Sequence, residues 1–123
     1  LPSAQKVFSM VSGAPTLYFS RDSQCFLDFY PQVGADAFAL DWRADWSNAK
    51  KVLGKVPLQG NLDPIALQAP PDVIRRKVHR IIQEAGPLGH IFNLGHGCTP
   101  ETPIAGVQAA IDAVLEWDWS KVG

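Results

Sequence analysis

Four short apolar segments rich in β-favouring residues constrain the fold most, because a helical pattern follows each of them. They are Pro15–Ser20, Asp36–Trp42, Val56–Gln59 and His90–Leu94. A strand of a one-sided antiparallel sheet would alternate apolar with polar residues, whereas short continuous apolar runs between amphipathic helices are typical of parallel strands buried on both faces. The sequence therefore predicts an α/β fold with a parallel sheet.

The helical segments carry recognisable ends. The last helix is predicted to have Thr102 as its N-cap and Pro103 as its first residue, with an apolar stripe that should cover the final strand. A helix over about residues 72–85 ends at Gly86, a common C-terminal cap. Asp45 or Ser47 can cap a shorter helix that Gly54 closes.

The remaining helical patterns lie near the start of the chain. Residues 20–34 form a pattern that Pro31 is expected to kink or terminate. Apolar residues spaced three and four apart in the first dozen positions resemble the end of a preceding helix.

The order is thus a helix end followed by four strand–helix units of about thirty residues. Parallel units of this kind close most familiarly as an eight-unit barrel of about 250 residues. We therefore interpret residues 1–123 as a single segment, the second, C-terminal half of a TIM-type (β/α)8 barrel, cut from a longer chain. A doubly wound open sheet is the alternative, but no G-x-G-x-x-G turn follows the first apolar run.

Composition excludes several functional classes. Apolar residues make up 46% and charged residues 19%, which excludes disorder, and no apolar run approaches the roughly 18 residues of a membrane span. A formal charge of -1 gives no overall field for nucleic acid or anionic lipid. Cys25 and Cys98 are too few for a disulfide framework, and no secretory signal precedes them, so we expect a cytoplasmic protein.

Candidate site residues follow from the rule that ligands bind at the carboxyl ends of parallel strands. The best candidate is His96, because Gly95 and Gly97 free the backbone beside it to approach a ligand. The alternative is a histidine bonded to a neighbouring loop, with glycines that serve a tight turn. The other polar strand ends are Ser20–Asp22, which includes Arg21, Asp41–Arg43, and Gln59–Pro64.

Two pairs of these residues can also be explained by structural roles. Gln59 and Asn61 can donate amide hydrogen bonds to a carboxylate, but we favour a role in stabilising their own loop. His96 and Cys98 have a chelating spacing, with Cys25 as a third ligand. Two buried structural thiols are the favoured reading, so no metal is expected.

The motifs then resemble one family. The segments Leu58–Pro64 and Gly89–Gly97, followed by Pro100 and Pro103, together with Ala39–Trp42, closely resemble the C-terminal part of uroporphyrinogen decarboxylase. The resemblance extends from Pro15 to the last helix. The combination of LQGNLDP with FNLGHG is far more specific than any generic motif.

This resemblance implies a barrel enzyme of haem and tetrapyrrole synthesis that removes carbon dioxide from the four acetate side chains of uroporphyrinogen and gives coproporphyrinogen. It implies no metal or organic cofactor and a cytoplasmic homodimer. His96 matches the family histidine that lines the substrate cleft, with a role in pairing to a substrate carboxylate. The central aspartate and the arginine, tyrosine and serine contacts of the family belong to the first half of the barrel, so this segment alone is expected to be inactive.

Two departures and two alternatives remain. Residues 21–23 stand where many family members have a glycine-rich stretch, and Cys98 stands where an aliphatic residue is common. A zinc-dependent, corrinoid-linked methyltransferase shares the fold, but its His-x-Cys ligand pair does not follow the first strand here; a non-catalytic barrel segment is the other alternative. Half a barrel leaves unpaired edges and an exposed apolar lining, so we expect it to bind the N-terminal half or to form homo-oligomers.

Overall fold

The computed structural model describes residues 1–122, which contain one parallel sheet of four strands. The strands are β1 (Leu17–Phe19), β2 (Ala37–Ala39), β3 (Leu58–Gln59) and β4 (His90–Ile91). Each pairs with the next along the chain, in the order β1-β2-β3-β4. The predicted α/β class with a parallel sheet is confirmed, and each strand is shorter than the apolar run that predicts it.

The helices lie between the strands and at both ends. The α-helices are α1 (Pro2–Ser9), α2 (Trp46–Leu53), α3 (Pro71–Ala85) and α4 (Ile104–Leu115). Short 3-10 helices occupy Ser23–Cys25, Leu27–Val33, Pro64–Gln68 and Trp119–Lys121. Among residues 1–122, no helix is long and apolar enough to span a membrane.

Local signals placed three helix ends correctly, at Asp45, Gly54 and Gly86, and one wrongly. The Asp45 carboxylate caps α2 by accepting the backbone N–H of Asn48 at 2.7 Å. Gly86 follows α3 with a φ of 86°. The prediction of Thr102 as the N-cap of α4 and Pro103 as its first residue was wrong, because Pro103 is still extended and occupies the N-cap position, so the helix begins at Ile104. The Thr102 hydroxyl lies 3.4 Å from that of Thr99 instead.

The segment between β1 and β2 is not an α-helix. Leu27–Val33 is a 3-10 helix, and Pro31 lies inside it without ending it. Its buried residues are Leu27, Tyr30 and Val33. They recur every third position, which is the period of a 3-10 helix, so one face points continuously into the core.

Two groups of buried side chains form the core. The first joins the sheet to α2 and includes Phe38, Leu40, Trp46 and Ala49. The second lies around α3 and α4, and its members are Leu62, Ala66, Leu67, Ile74, Val78, Ile82, Ala110 and Ala113. Ile81 on α3 packs against both groups and connects them.

Helix α4 packs in the opposite sense to the prediction. Its small residues, Gly106, Ala110 and Ala113, are buried. A Cβ at Gly106 would lie 1.8 Å from the Leu67 carbonyl oxygen, so glycine allows the close approach. The large residues of the expected stripe remain exposed, among them Ile104, Val107, Ile111 and Leu115. Val107, Ile111 and Leu115 border an open groove of about 420 Å³ that Phe92 and Leu94 also line.

The side of the sheet away from α2 is also apolar and open. Tyr18, Phe38 and Leu58 are in register across the strands and belong to the first core group. Because successive side chains of a strand point to opposite faces, Leu17 and Phe19 of β1 lie on the other face. Both are exposed, as is Ile91 of β4.

His90 ties β4 to the end of β3. Its Nε2 lies 2.8 Å from the Gly60 carbonyl oxygen, which only accepts, so Nε2–H donates this hydrogen bond. The ring meets Trp46 edge to face at 4.9 Å. Burial lowers the pKa of His90 below its ordinary value of 6.5, partly offset by the hydrogen bond to Gly60.

This pKa predicts a pH-dependent contribution to stability. Since the pKa of His90 is lower in the folded than in the unfolded chain, the unfolded state binds more protons below about pH 6.5. The free energy of unfolding should therefore fall as the pH falls from about 6.5 toward the folded pKa. Urea unfolding at several pH values measures it, and His90→Gln should flatten the profile. His96→Asn, at an exposed histidine, is the matched control; an equally steep profile in His90→Gln would contradict the assignment.

Candidate functional site

The loops that follow the four strands enclose an open cavity of about 350 Å³. It lies at the carboxyl ends of the strands, where parallel α/β folds bind ligands. Its walls are formed by Arg21, Trp42, Arg43, Asp63, Pro64, Ile65, His96, Gly97 and Thr99. All four strand-end loops thus contribute, and three of the candidate site residues predicted from the sequence, Arg21, His96 and Gly97, come together here.

His96 stands at the rim of this cavity. Its side chain is exposed, and its ring lies 6.3 Å from that of Phe19 in an edge-to-face arrangement. Nδ1 is 3.5 Å from the Gly97 carbonyl oxygen, at the limit of hydrogen bonding. The imidazole can therefore turn its Nε2 toward a bound ligand.

The two glycines beside His96 have different surroundings. A Cβ at Gly95 would lie 2.2 Å from the backbone nitrogen of Trp42, so the loops after β2 and β4 touch at this point. A Cβ at Gly97 would meet no atom within 4 Å. Gly95 is thus required by packing, and Gly97 leaves open space on the cavity side.

Asn61 holds loops together. Its amide nitrogen donates to the carbonyl oxygens of Asp41 at 2.9 Å and Ala44 at 2.8 Å. Its amide oxygen accepts the indole N–H of Trp46 at 2.8 Å. Both N–H bonds of the amide are used inside the protein, which agrees with the loop role favoured for Asn61. Gln59 is half-buried within β3 and is not among the residues that line the cavity.

Asp41 is the buried centre of these loops. It is 1% exposed, and its backbone N–H donates to the Ser23 hydroxyl oxygen at 2.9 Å. Its Oδ1 accepts the backbone N–H of Arg43 at 3.0 Å. Oδ2 has no hydrogen-bond partner within residues 1–122. Asp41 therefore fixes the loop backbone rather than facing the cavity.

The loop after β1 is anchored by a buried phenol. The backbone N–H of Ser20 donates to the Tyr30 hydroxyl oxygen at 3.2 Å. Burial is the main cause that raises the pKa of Tyr30 to about 12, so this group stays neutral at any physiological pH. Tyr30 thereby holds the end of β1 next to Arg21.

The sequence indicates the cavity residues Trp42 and Arg43 only as part of a polar strand end. Arg43 forms an ion pair with Asp22, and its guanidinium carbon lies 4.6 Å from the centre of the Trp42 ring. Their position directly after β2 was the sequence signal that could have selected them. What the sequence could not show is that their side chains lie beside His96.

The alternative of a metal site at His96, Cys98 and Cys25 has no supporting cluster of ligands among residues 1–122. Among residues 1–122, no three His, Cys, Asp or Glu side chains are grouped so that they could hold a metal ion. The expectation of buried thiols was wrong, because Cys25 and Cys98 are both exposed. Cys98 borders the apolar groove beside α4.

Comparison with known proteins identifies the family of the chain. The model of the family described as uroporphyrinogen decarboxylase (URO-D) matches residues 1–117. The chain belongs to this family. Relatives named uroporphyrinogen decarboxylase include those of Thermus thermophilus, 40% identical over 118 residues, and Carboxydothermus hydrogenoformans, 41% identical over 120 residues. A Pseudomonas syringae pv. tomato relative is 44% identical over 104 residues.

The extent of these matches is uneven. They cover 94%, 94% and 83% of this chain, but 35%, 34% and 29% of the three relatives. The chain therefore spans about a third of the length of the uroporphyrinogen decarboxylases that it matches. The resemblance that LQGNLDP and FNLGHG indicate is confirmed, and the four parallel strands are consistent with part of a TIM-type barrel.

The two glycines of this family motif should respond differently to alanine. Gly95→Ala should lower the free energy of unfolding by about 2 kcal/mol, because its Cβ would overlap the backbone of Trp42. Gly97→Ala should change it by no more than about 0.5 kcal/mol, because its Cβ would enter open space. Urea unfolding of both variants measures the difference. Equal effects would show that the loops after β2 and β4 do not meet as described.

Proposed function

We propose that this chain forms one wall of the substrate cleft of a uroporphyrinogen decarboxylase. The reaction removes carbon dioxide from the four acetate side chains of uroporphyrinogen and yields coproporphyrinogen. The observation that carries the proposal is the cavity that joins His96 and Arg21 at the strand ends of a chain from this family. His96 pairs with a substrate carboxylate, and Gly95 and Gly97 keep the nearby backbone free of side chains.

The chemistry explains which groups such a cleft needs. Protonation of a pyrrole carbon makes the ring an electron sink, so the carbon–carbon bond to the carboxylate can break and carbon dioxide can leave. A carboxylate facing the pyrrole nitrogens stabilises the positive charge, and basic groups hold the peripheral carboxylates. Arg21 and His96 supply basic groups of this kind. Gln59 and Asn61 support the wall behind them.

The catalytic carboxylate is proposed to come from elsewhere. Asp41 is buried and bonded to the backbone of Arg43. Asp63 accepts the backbone N–H of Ile65 at 3.0 Å and so caps the following 3-10 helix. Both of these acids have structural roles, and Asp22 is paired with Arg43, which supports the expectation that this segment alone is inactive.

The proposed partner is the N-terminal part of the barrel. Leu17, Phe19 and Ile91 leave an apolar sheet face open, and the groove beside α4 is apolar as well. Exposed apolar surfaces of this kind drive association. In the absence of that partner, the same surfaces favour a homo-oligomer of this chain.

The remaining parts of the proposal concern cofactor and location. The decarboxylation that we propose uses no metal or organic cofactor, because the protonated pyrrole itself accepts the electrons. Cys25 and Cys98 are both free, which suits a reducing, cytoplasmic setting.

Complementation tests the activity. The 123-residue chain should not decarboxylate uroporphyrinogen alone, but should do so when mixed with the part of the Thermus thermophilus relative that lies before the matched region. Chromatography of coproporphyrinogen, oxidised to its porphyrin, measures the product. His96→Asn should lower turnover of the mixture by about tenfold or more.

The controls separate the possible causes. Arg76→Met, on the exposed face of α3, should leave turnover unchanged. Activity of the chain alone would contradict the missing-carboxylate argument. No activity in a complex confirmed by light scattering would overturn the decarboxylase proposal and favour the methyltransferase or a non-catalytic segment.

Self-association is tested separately. Light scattering of the chain alone at micromolar concentration should give a dimer or larger species, because the open apolar faces then bury one another. Leu17→Lys with Ile91→Lys should shift the distribution toward monomer. A cooperatively folded wild-type monomer would be incompatible with this expectation.

A further inference from the structure

Arg43 lines the same cavity as His96 and Arg21. The sequence indicated it only as the last residue of the polar segment Asp41–Arg43. It lies on the loop after β2, which touches the loop after β4 that carries His96. Three cationic or titratable nitrogen groups therefore border one cavity of about 350 Å³. Asp63 is the acidic residue in that lining, and its carboxylate is engaged at the start of a 3-10 helix.

The position of Arg43 is fixed from three directions. Its backbone N–H donates to Oδ1 of the buried Asp41 at 3.0 Å. Its side chain pairs with Asp22 from the loop after β1. Its guanidinium lies over the Trp42 ring, 4.6 Å from the centre, which is a cation–π contact. A side chain held in this way has already lost much of the rotamer freedom that binding would otherwise remove.

The guanidinium also retains donors for a ligand. It carries five N–H bonds, and the contact with Asp22 is made through Nη1. The side chain is 49% exposed, so the group is open to the cavity as well as paired. Arginine presents parallel N–H bonds that match the two oxygens of a carboxylate, which lysine cannot do.

We propose that Arg43 is a substrate-binding residue that holds a peripheral carboxylate of the tetrapyrrole by paired hydrogen bonds, next to the carboxylate held by His96. This inference rests on the proposed function. Asp22 is its positioning residue, because it holds the guanidinium in place without facing the ligand. The competing explanation is that the pair only joins the loops after β1 and β2.

These explanations differ in what Asp22→Asn does. If the ion pair only joins two loops, then Asp22→Asn and Arg43→Met remove the same contact and should have the same effect. If Arg43 binds a carboxylate, Arg43→Met removes the donor, whereas Asp22→Asn removes a competing negative charge and leaves the donor. The second case predicts opposite directions of change in affinity.

The experiment is a fluorescence titration with uroporphyrin, the stable oxidised octacarboxylate. It uses the chain in complex with the complementing N-terminal part, and the chain alone in parallel. Arg43→Met should raise the Kd by about tenfold, and Arg43→Lys should give an intermediate value, because the charge remains and the paired donors are lost. Asp22→Asn should bind as tightly as the wild type or more tightly.

Two controls keep the result decisive. Arg75→Met removes another exposed, ion-paired arginine, which pairs with Glu116 outside the residues that line the cavity, and it should leave the Kd unchanged. Circular dichroism verifies folding of each variant. If Arg43→Met does not fold, the ordering of Arg43→Lys and Asp22→Asn still decides between the two explanations.

The outcomes separate this inference from the proposed function. A wild-type protein that does not bind uroporphyrin in either form overturns the proposed function, and the role of Arg43 falls with it. Binding by the wild type that Arg43→Met leaves unchanged, or that Asp22→Asn weakens as much as Arg43→Met does, overturns the role of Arg43 alone.

Discussion

The arrangement of the strand-end loops depends on one buried aspartate. Asp41 joins Ser23, Arg43 and Asn61 through its backbone N–H, its carboxylate and its backbone carbonyl, respectively. These partners come from the loops after β1, β2 and β3. The bonds to Ser23 and Asn61 are buried, and a buried polar group that loses its partner costs free energy, so the three loops cannot move independently without breaking them.

The local features of the fold could be predicted from sequence because each is decided by neighbouring residues. The cap at Asp45 needs only an N–H three positions later, and the end of α3 needs only a residue that tolerates the φ of Gly86. The sequence did not distinguish a 3-10 helix from an α-helix at Leu27–Val33, because the apolar residues there are compatible with either. The buried spacing of three that separates a 3-10 from an α-helix becomes visible only when burial is known.

The features that sequence reasoning missed depend on contacts between distant positions. Gly106 turns the small face of α4 inward because it lies against the Leu67 carbonyl, and nothing in the α4 sequence alone indicates that neighbour. For Asn61, the sequence favoured a loop role but could not name the partners of the amide. Its carbonyl partners, at Asp41 and Ala44, lie 20 and 17 positions away.

The interactions that position the cavity residues are therefore separate from the apolar surfaces that remain exposed. Hydrogen bonds and close backbone contacts within this chain set where His96, Arg21 and Arg43 stand, and all of them lie at one end of the sheet. The exposed apolar surfaces lie elsewhere, on the face of the sheet that carries Leu17, Phe19 and Ile91 and in the groove beside α4. Apolar association is non-directional and depends mainly on buried area, so it can close a barrel without setting the cleft geometry. The loops that carry the proposed carboxylate-binding residues can thus be organised independently of whatever covers the apolar surfaces.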